Sequence, residues 1–370
     1  MLSETPFPEE LTMKFGVCVA TNINDWQLLV HAENEGYDHG WVPDSQMIWS
    51  DCYATLALAA HHTSTIKLGT GVAIAGTRIA PVTAHSIATI NRIAPGRTFL
   101  GIGSGHTAMR VMNFNPMKAR AFREYLRVVR ALLDGDEVEF TMDGETRVIE
   151  IIHKEQGFID TEHRIPMYVA ANGPLALKAT GAHGDGRVSG GSESIDAFTA
   201  SMMRVHAGAE AVSRQVDFHT TELTFACVMQ PGESLTSDRV IDECGSMVMC
   251  RLHGMWEVAQ LSGNEDFIPD SIRAEWEAYR DQVGALNVPR ERAGQVVHRG
   301  HCTYLLPEER RFVTPATIRA SGGLVGQRDE IIEVLRRKES AGLKEVMLLP
   351  PMAIARDNLS TFRREIMDHY

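Results

Sequence analysis

The chain reads as an α/β protein, a (β/α)₈ barrel with a helical insertion near its mouth. Three observations predict this. Short apolar runs alternate with amphipathic segments from Lys14 onward. Eight such units fit the 370 residues without a clear domain boundary. Small, polar or glycine-rich clusters also follow one strand after another, where parallel α/β folds place their sites. A doubly wound open sheet is the competing topology.

In order, Lys14 to Ala20 is a strand and about Asn24 to Gly36 a helix, with Asn24 as its cap and Gly36 as its stop. Trp41 to Asp44 is the second strand, Asp51 to His62 a helix, and Ile66 to Val72 the third strand. Ala80 to Ile93 is a helix, and Arg97 to Gly103 the fourth strand. That strand breaks into Ser104-Gly105-His106, with loop expected through Pro116 and a helix from Met117 to Leu133. Asp136 to Gln156 interrupts the alternation with a hairpin turning at Asp143-Gly144.

Ile165 to Ala170 is the fifth strand, with a helix opening at Gly173. Gly186 to Ser189 is the sixth, with a helix from about Ser194 to Arg214, and Thr220 to Met229 is the seventh. About 231–321 is rich in helix formers and is taken as an insertion over the mouth of one domain spanning 1–370. Arg328 to Gly342, Glu345 to Leu349 and Asn358 to Asp368 supply the last helix, strand and helix.

Bulk composition narrows the function. Hydrophobic residues make up 44% and charged residues 23%, as in a globular protein without long apolar runs. Acidic residues exceed basic ones by 48 to 36, a net charge of −12 that argues against nucleic-acid binding. Six scattered cysteines without a CxxC pair fit buried thiols in a reducing compartment. The first dozen residues are acidic and proline-bearing, unlike a signal peptide. These features point to a cytoplasmic protein with no membrane partner.

The candidate site residues follow the strands: Asp44 and Ser45, then Gly71 and Val72, then Gly103, Ser104, Gly105 and His106. Asn172-Gly173-Pro174 opens a helix whose free amides suit an anion, and the Ser189-Gly190-Gly191-Ser192 run adds donors nearby. The ordinary alternatives are a proline helix start and a packing turn. Gly-Ile-Gly-Ser-Gly-His is not a dinucleotide fingerprint, because His106 stands where that pattern needs glycine. His106 suits acid–base work; otherwise it is a surface histidine. His298 and His301 have metal-ligand spacing, but no carboxylate or cysteine is expected beside them, so no metal is assigned. Met247, Met249, Met255 and Trp256 are expected to pack; the alternative is that they line an apolar substrate pocket.

Three runs carry a resemblance: WVPDS, IKLGTGVAIAGTRIAPVTAHSIATINRIAPGRTFLGIGSGHTAMR and IPMYVAANGPLALKATGAHGDG. In order and spacing they resemble the bacterial luciferase-like family of flavin- or deazaflavin-dependent oxidoreductases on a (β/α)₈ barrel, closest to its deazaflavin branch. The resemblance implies that Asp44 sits beside the ring system and that Gly71-Val72 is a non-proline cis peptide behind it. It also implies that Gly103 to His106 and Asn172, Gly173, Pro174 and Leu175 line the cofactor's side chain and phosphate. Trp49 falls on a pocket tryptophan.

Two departures bear on chemistry. Ser45 stands where deazaflavin relatives carry histidine, and His106 where the dehydrogenase has glutamate. On these grounds the first reading is a reduced-FMN monooxygenase. It would use O₂ and a separate flavin reductase on a small organic compound, with His106, Ser45 and Asp44 as catalytic residues. The second is a coenzyme F420-dependent hydride-transfer enzyme, and the third a non-catalytic flavin binder. The resemblance also implies a homo-oligomer.

Overall fold

In the computed structural model, which describes residues 13–370, eight parallel strands close into a barrel. The opening dozen residues, read above as unlike a signal peptide, lie outside the described part. The strands are β1 (Lys14–Cys18), β2 (His39–Val42), β3 (Lys67–Thr70), β4 (Thr98–Gly103), β5 (Met167–Ala170), β6 (Gly186–Gly190), β7 (His219–Thr224) and β8 (Glu345–Leu348). Each pairs with the next, and β1 pairs with β8 through Lys14↔Glu345 to Val17↔Leu348. The open-sheet alternative is therefore excluded.

Local chemistry explains most boundaries. Asp51 caps the helix Cys52–His62 by accepting from the Ala54 amide at 2.9 Å, and Ser194 caps Ile195–Glu210. The hairpin Val138–Met142 with Glu145–Ile149 turns at Asp143 and Gly144, both at positive φ, as the Asp-Gly pair predicts. The first helix corrects the expectation at Asn24. It runs Gln27–Asn34 from Trp26 without a side-chain cap, and Asn24 lies before it in a turn where its backbone N–H donates to Asn22 Oδ1 at 3.0 Å.

The core lies in two parts. The ring between strands and outer helices holds Leu29, Leu56, Leu68, Ile87, Leu126 and Phe362. A second cluster belongs to the insertion, whose helices are Asp238–Ser262, Arg273–Ala285, Arg290–Val297 and Pro315–Ala320. Trp276 and Tyr279 are buried there with Met249 and Met255, and Met247 and Trp256 pack against them, so the methionines are packing residues as expected. The insertion leaves the barrel through the strand Ala226–Val228 and returns through Leu324–Gly326, which pair in parallel. Among the described residues, no helix is long and apolar enough to cross a membrane.

Candidate active site

The C-terminal ends of the strands open into a cavity of about 520 Å³. Its floor is bare backbone. The third strand ends at Thr70, earlier than the sequence suggests; the Gly71–Val72 peptide that follows is cis, and Ala73–Ile74 then pairs with β4. Glycine is required at 71, where a Cβ would stand 2.7 Å from the Trp41 Cβ. At Gly103 a Cβ would stand 3.0 Å from Val72 Cγ2, so the two segments meet closely under the cavity.

After β4, Gly105 adopts φ +89° and a short helix, His106–Val111, begins. This corrects the expected loop to Pro116: the left-handed glycine turns the chain directly into helix. His106 is exposed at the cavity rim, where surrounding protein lowers its pKa below the ordinary histidine value, aided by Arg110 and opposed by Glu257. The ring is therefore neutral at pH 7.

Opposite, Ala171, Asn172 and Gly173 line the cavity. The helix Pro174–His183 starts at Gly173 without a side-chain cap, so its first amides are free for an anion. A Cβ at Gly173 would meet nothing, which leaves this backbone open to a ligand. The turn is held from below by buried Arg187. Its guanidinium donates to the Ala171 carbonyl at 3.0 Å and to Asn172 Oδ1 at 3.3 Å, and pairs with Glu193 at 2.8 Å.

Several expected residues stand elsewhere. The Asp44 carboxylate does not line the cavity; it is 2% exposed and accepts from the Arg78 guanidinium, the Gln46 amide and, at 3.4 Å, the Ile74 amide. Burial raises its pKa and Arg78 works against that rise. Asp44 thus braces the segment beyond Val72. Pro174 and Leu175 lie outside the lining, with Leu175 largely exposed, and Ala176 takes their place. Gly190 and Gly191 also miss the cavity. The Gly191 amide donates to the Leu223 carbonyl at 2.8 Å, and a Cβ there would meet the Gly322 carbonyl at 2.9 Å. Trp256 borders a separate cavity of about 410 Å³ with Arg110 and Glu257.

Ser45 and Trp49 do line the cavity. Trp49 Nε1 donates to Thr303 Oγ1 at 3.0 Å, tying the loop after β2 to the insertion. The insertion's own contribution, His301 and Cys302, was missed by sequence reading. His301 lies among other histidines and thiols, contrary to the expectation that neither cysteine nor carboxylate stands beside the His298–His301 pair.

A flat ring on a bare floor and an anionic tail at an uncapped helix start are the demands this cavity meets. The family pattern described as luciferase-like monooxygenase matches residues 24–345. The chain belongs to that family. It is 34% identical over 187 residues to the 5,10-methylenetetrahydromethanopterin reductase of Methanolobus tindarius, covering 50% of this chain and 54% of the relative. To the F420-dependent glucose-6-phosphate dehydrogenase of Kineococcus radiotolerans it is 32% identical over 228 residues, covering 57% and 66%. The matches thus span about half to two thirds of these relatives' length.

The solved structure of coenzyme F420-dependent tetrahydromethanopterin reductase from Methanopyrus kandleri superposes with TM-score 0.64 at 20% identity, covering 97% of this chain and 99% of that one. The oxygenating constituent of 3,6-diketocamphane monooxygenase from Pseudomonas putida, in complex with FMN, gives TM-score 0.60 at 16% identity, with 96% and 98% covered. At these identities the structures bear on fold.

Proposed function

We propose that the protein is a coenzyme F420-dependent oxidoreductase that transfers a hydride to or from a small organic substrate. The relatives reverse the order in which the sequence departures alone rank the two readings, because the 34% and 32% matches are a methanopterin reductase and an F420-dependent dehydrogenase. The observation that carries the proposal is the cavity itself, bare at Gly71, Gly103 and Gly105 and opening onto free amides beyond Gly173. When bound, the deazaflavin supplies a two-electron hydride donor or acceptor that does not require oxygen.

Gly71, Val72 and Gly103 to Gly105 would hold the ring, and Asn172 and Gly173 the anionic tail. Asp44 acts through the backbone it braces. His106, neutral and at the rim, holds or accepts a proton on a ring nitrogen, and the Ser45 hydroxyl offers a second donor on the same wall. Trp49, His301 and Cys302 enclose the substrate side and keep water out.

A reduced-FMN monooxygenase, fed by a flavin reductase, is the second reading. It rests on Ser45 standing where relatives place histidine, which leaves no strong base after β2. Anaerobic titration of the protein with F420 and, separately, with oxidised and reduced FMN distinguishes the two. Tight F420 binding with oxygen-independent turnover is expected. Binding of reduced FMN alone, with turnover that consumes oxygen, would reject the proposal.

A further inference from the structure

The insertion buries three histidines whose ring nitrogens converge. His253 comes from the helix Asp238–Ser262, and His298 and His301 from the turn after Arg290–Val297. All three are less than a tenth exposed, and one nitrogen from each lies within 4.8 Å of the others. Two are gripped from outside: His253 Nε2 meets Glu309 at 2.9 Å and His298 Nε2 meets Glu257 at 2.9 Å.

When ionised, a carboxylate only accepts, and each grip then holds the proton on Nε2 and leaves a lone pair on Nδ1. His253 Nδ1 is buried without any hydrogen-bond partner. His298 Nδ1 and His301 Nδ1 lie 3.2 Å apart, and without an ion one must donate its proton to the other. The unpartnered His253 nitrogen costs free energy unless something beside it accepts its lone pair. Histidine ligands whose second nitrogen is held by a carboxylate are the usual build of a metal site.

We propose that His253, His298 and His301 bind one zinc ion through their Nδ1 atoms, oriented by Glu309, Glu257 and, behind His301, Cys250. The distances favour this set over the neighbouring thiols. Nitrogens about 2.1 Å from a tetrahedral zinc stand roughly 3.4 Å apart, close to the His298–His301 separation. Thiolate sulfurs at about 2.3 Å stand roughly 3.8 Å apart, whereas Cys250 Sγ and Cys302 Sγ are 3.2 Å apart. Cys250 Sγ lies 3.9 Å from His301 Nε2, the nitrogen facing away from His298. A cavity of about 580 Å³ bordered by His298 and His301 gives the ion a route in. The ion joins the long helix to the turn that carries His301, Cys302 and Thr303 onto the active-site cavity, so it stiffens that wall.

The test uses tag-free protein dialysed against zinc and then against metal-free buffer, with metal content read by mass spectrometry. About one zinc per chain is expected, lost in His298→Gln and His253→Gln and kept in Cys250→Ser. Cobalt in place of zinc is expected to give a tetrahedral ligand-field spectrum without a sulfur charge-transfer band, a reading on the unmutated protein that needs no variant to fold. Chelation is expected to lower Tm, and zinc to restore it. No zinc retained by the unmutated protein, retention unchanged in folded His298→Gln, loss in Cys250→Ser, or a sulfur band would each overturn the proposal.

Discussion

Two buried histidine–carboxylate groups, one in the barrel and one in the insertion, are built inside out from each other. At the N-terminal end of the barrel, Glu345 opens β8, accepts from Trp41 Nε1 at 3.0 Å and meets His219 Nε2 at 2.6 Å, while His39 Nδ1 stands 3.3 Å away as an ion-pair neighbour without a hydrogen bond. Burial pushes its pKa up, but the two histidines outweigh that and hold it far below the usual carboxylate range. In the insertion, two carboxylates face three histidines, and nitrogens remain over. The first group gathers its histidines and an indole around one carboxylate at the centre. The second has its carboxylates outside and nitrogens turned inward, the shape of a cage.

The largest test of that contrast is Glu345→Ala, which strands two histidines and an indole in the barrel. A loss of about 3–5 kcal/mol is expected in urea unfolding. Glu309→Gln, which keeps the volume and one hydrogen bond, is expected to cost about 1–2 kcal/mol; equal losses would break the comparison. The pH dependence follows from the sign. With its folded pKa below its unfolded one, Glu345 stabilises the protein above about pH 4.5, and that contribution declines as pH falls below it. Glu345→Gln should flatten this acid limb in a series of unfolding curves.

Between the two groups lies the active-site cavity, where substitutions should touch function before stability. His106→Ala is expected to lower turnover about tenfold or more with an unchanged circular dichroism spectrum. Because protonation begins only below the ordinary pKa of about 6.5, any limb that His106 adds to a kcat/KM profile lies on the acid side of that value. The limb should vanish in His106→Gln. Gly71→Val, which pushes a branched side chain against Trp41, is expected to weaken cofactor binding about tenfold, about 1.4 kcal/mol, by titration. The smallest effect belongs to Thr303→Val, which removes the partner of Trp49. It should raise KM severalfold and leave cofactor affinity as it was, and a fall in cofactor affinity would move that contact from the substrate side to the floor.

The barrel was legible because its signals are local. Strand runs, the helices opening at Asp51 and Ser194 and the Asp143-Gly144 turn each depend on a few neighbouring residues. The glycine floor and the turn at Asn172 were legible for the same reason. What the sequence did not show depends on distant partners. Arg78, 34 residues on, turns the Asp44 carboxylate inward, away from the cavity lining. Gly322 packs close over Gly191. The histidine cage joins segments more than forty residues apart, so no single window shows it. A signal existed nonetheless: Cys250-x-x-His253 and His298-x-x-His301-Cys302 are two spaced ligand pairs, and only their pairing required the fold.

The paired strands Ala226–Val228 and Leu324–Gly326 have a consequence for descent and engineering. Entry and exit of the insertion are stitched side by side, in register, from Ala226↔Leu324 to Val228↔Gly326. Whatever is carried between them begins and ends at neighbouring points, so its length and sequence are free to drift while the closed ring keeps its register. The region between these strands is thus a cassette. Exchanging it for another of different lining would alter which molecules are admitted without rebuilding the cofactor's seat.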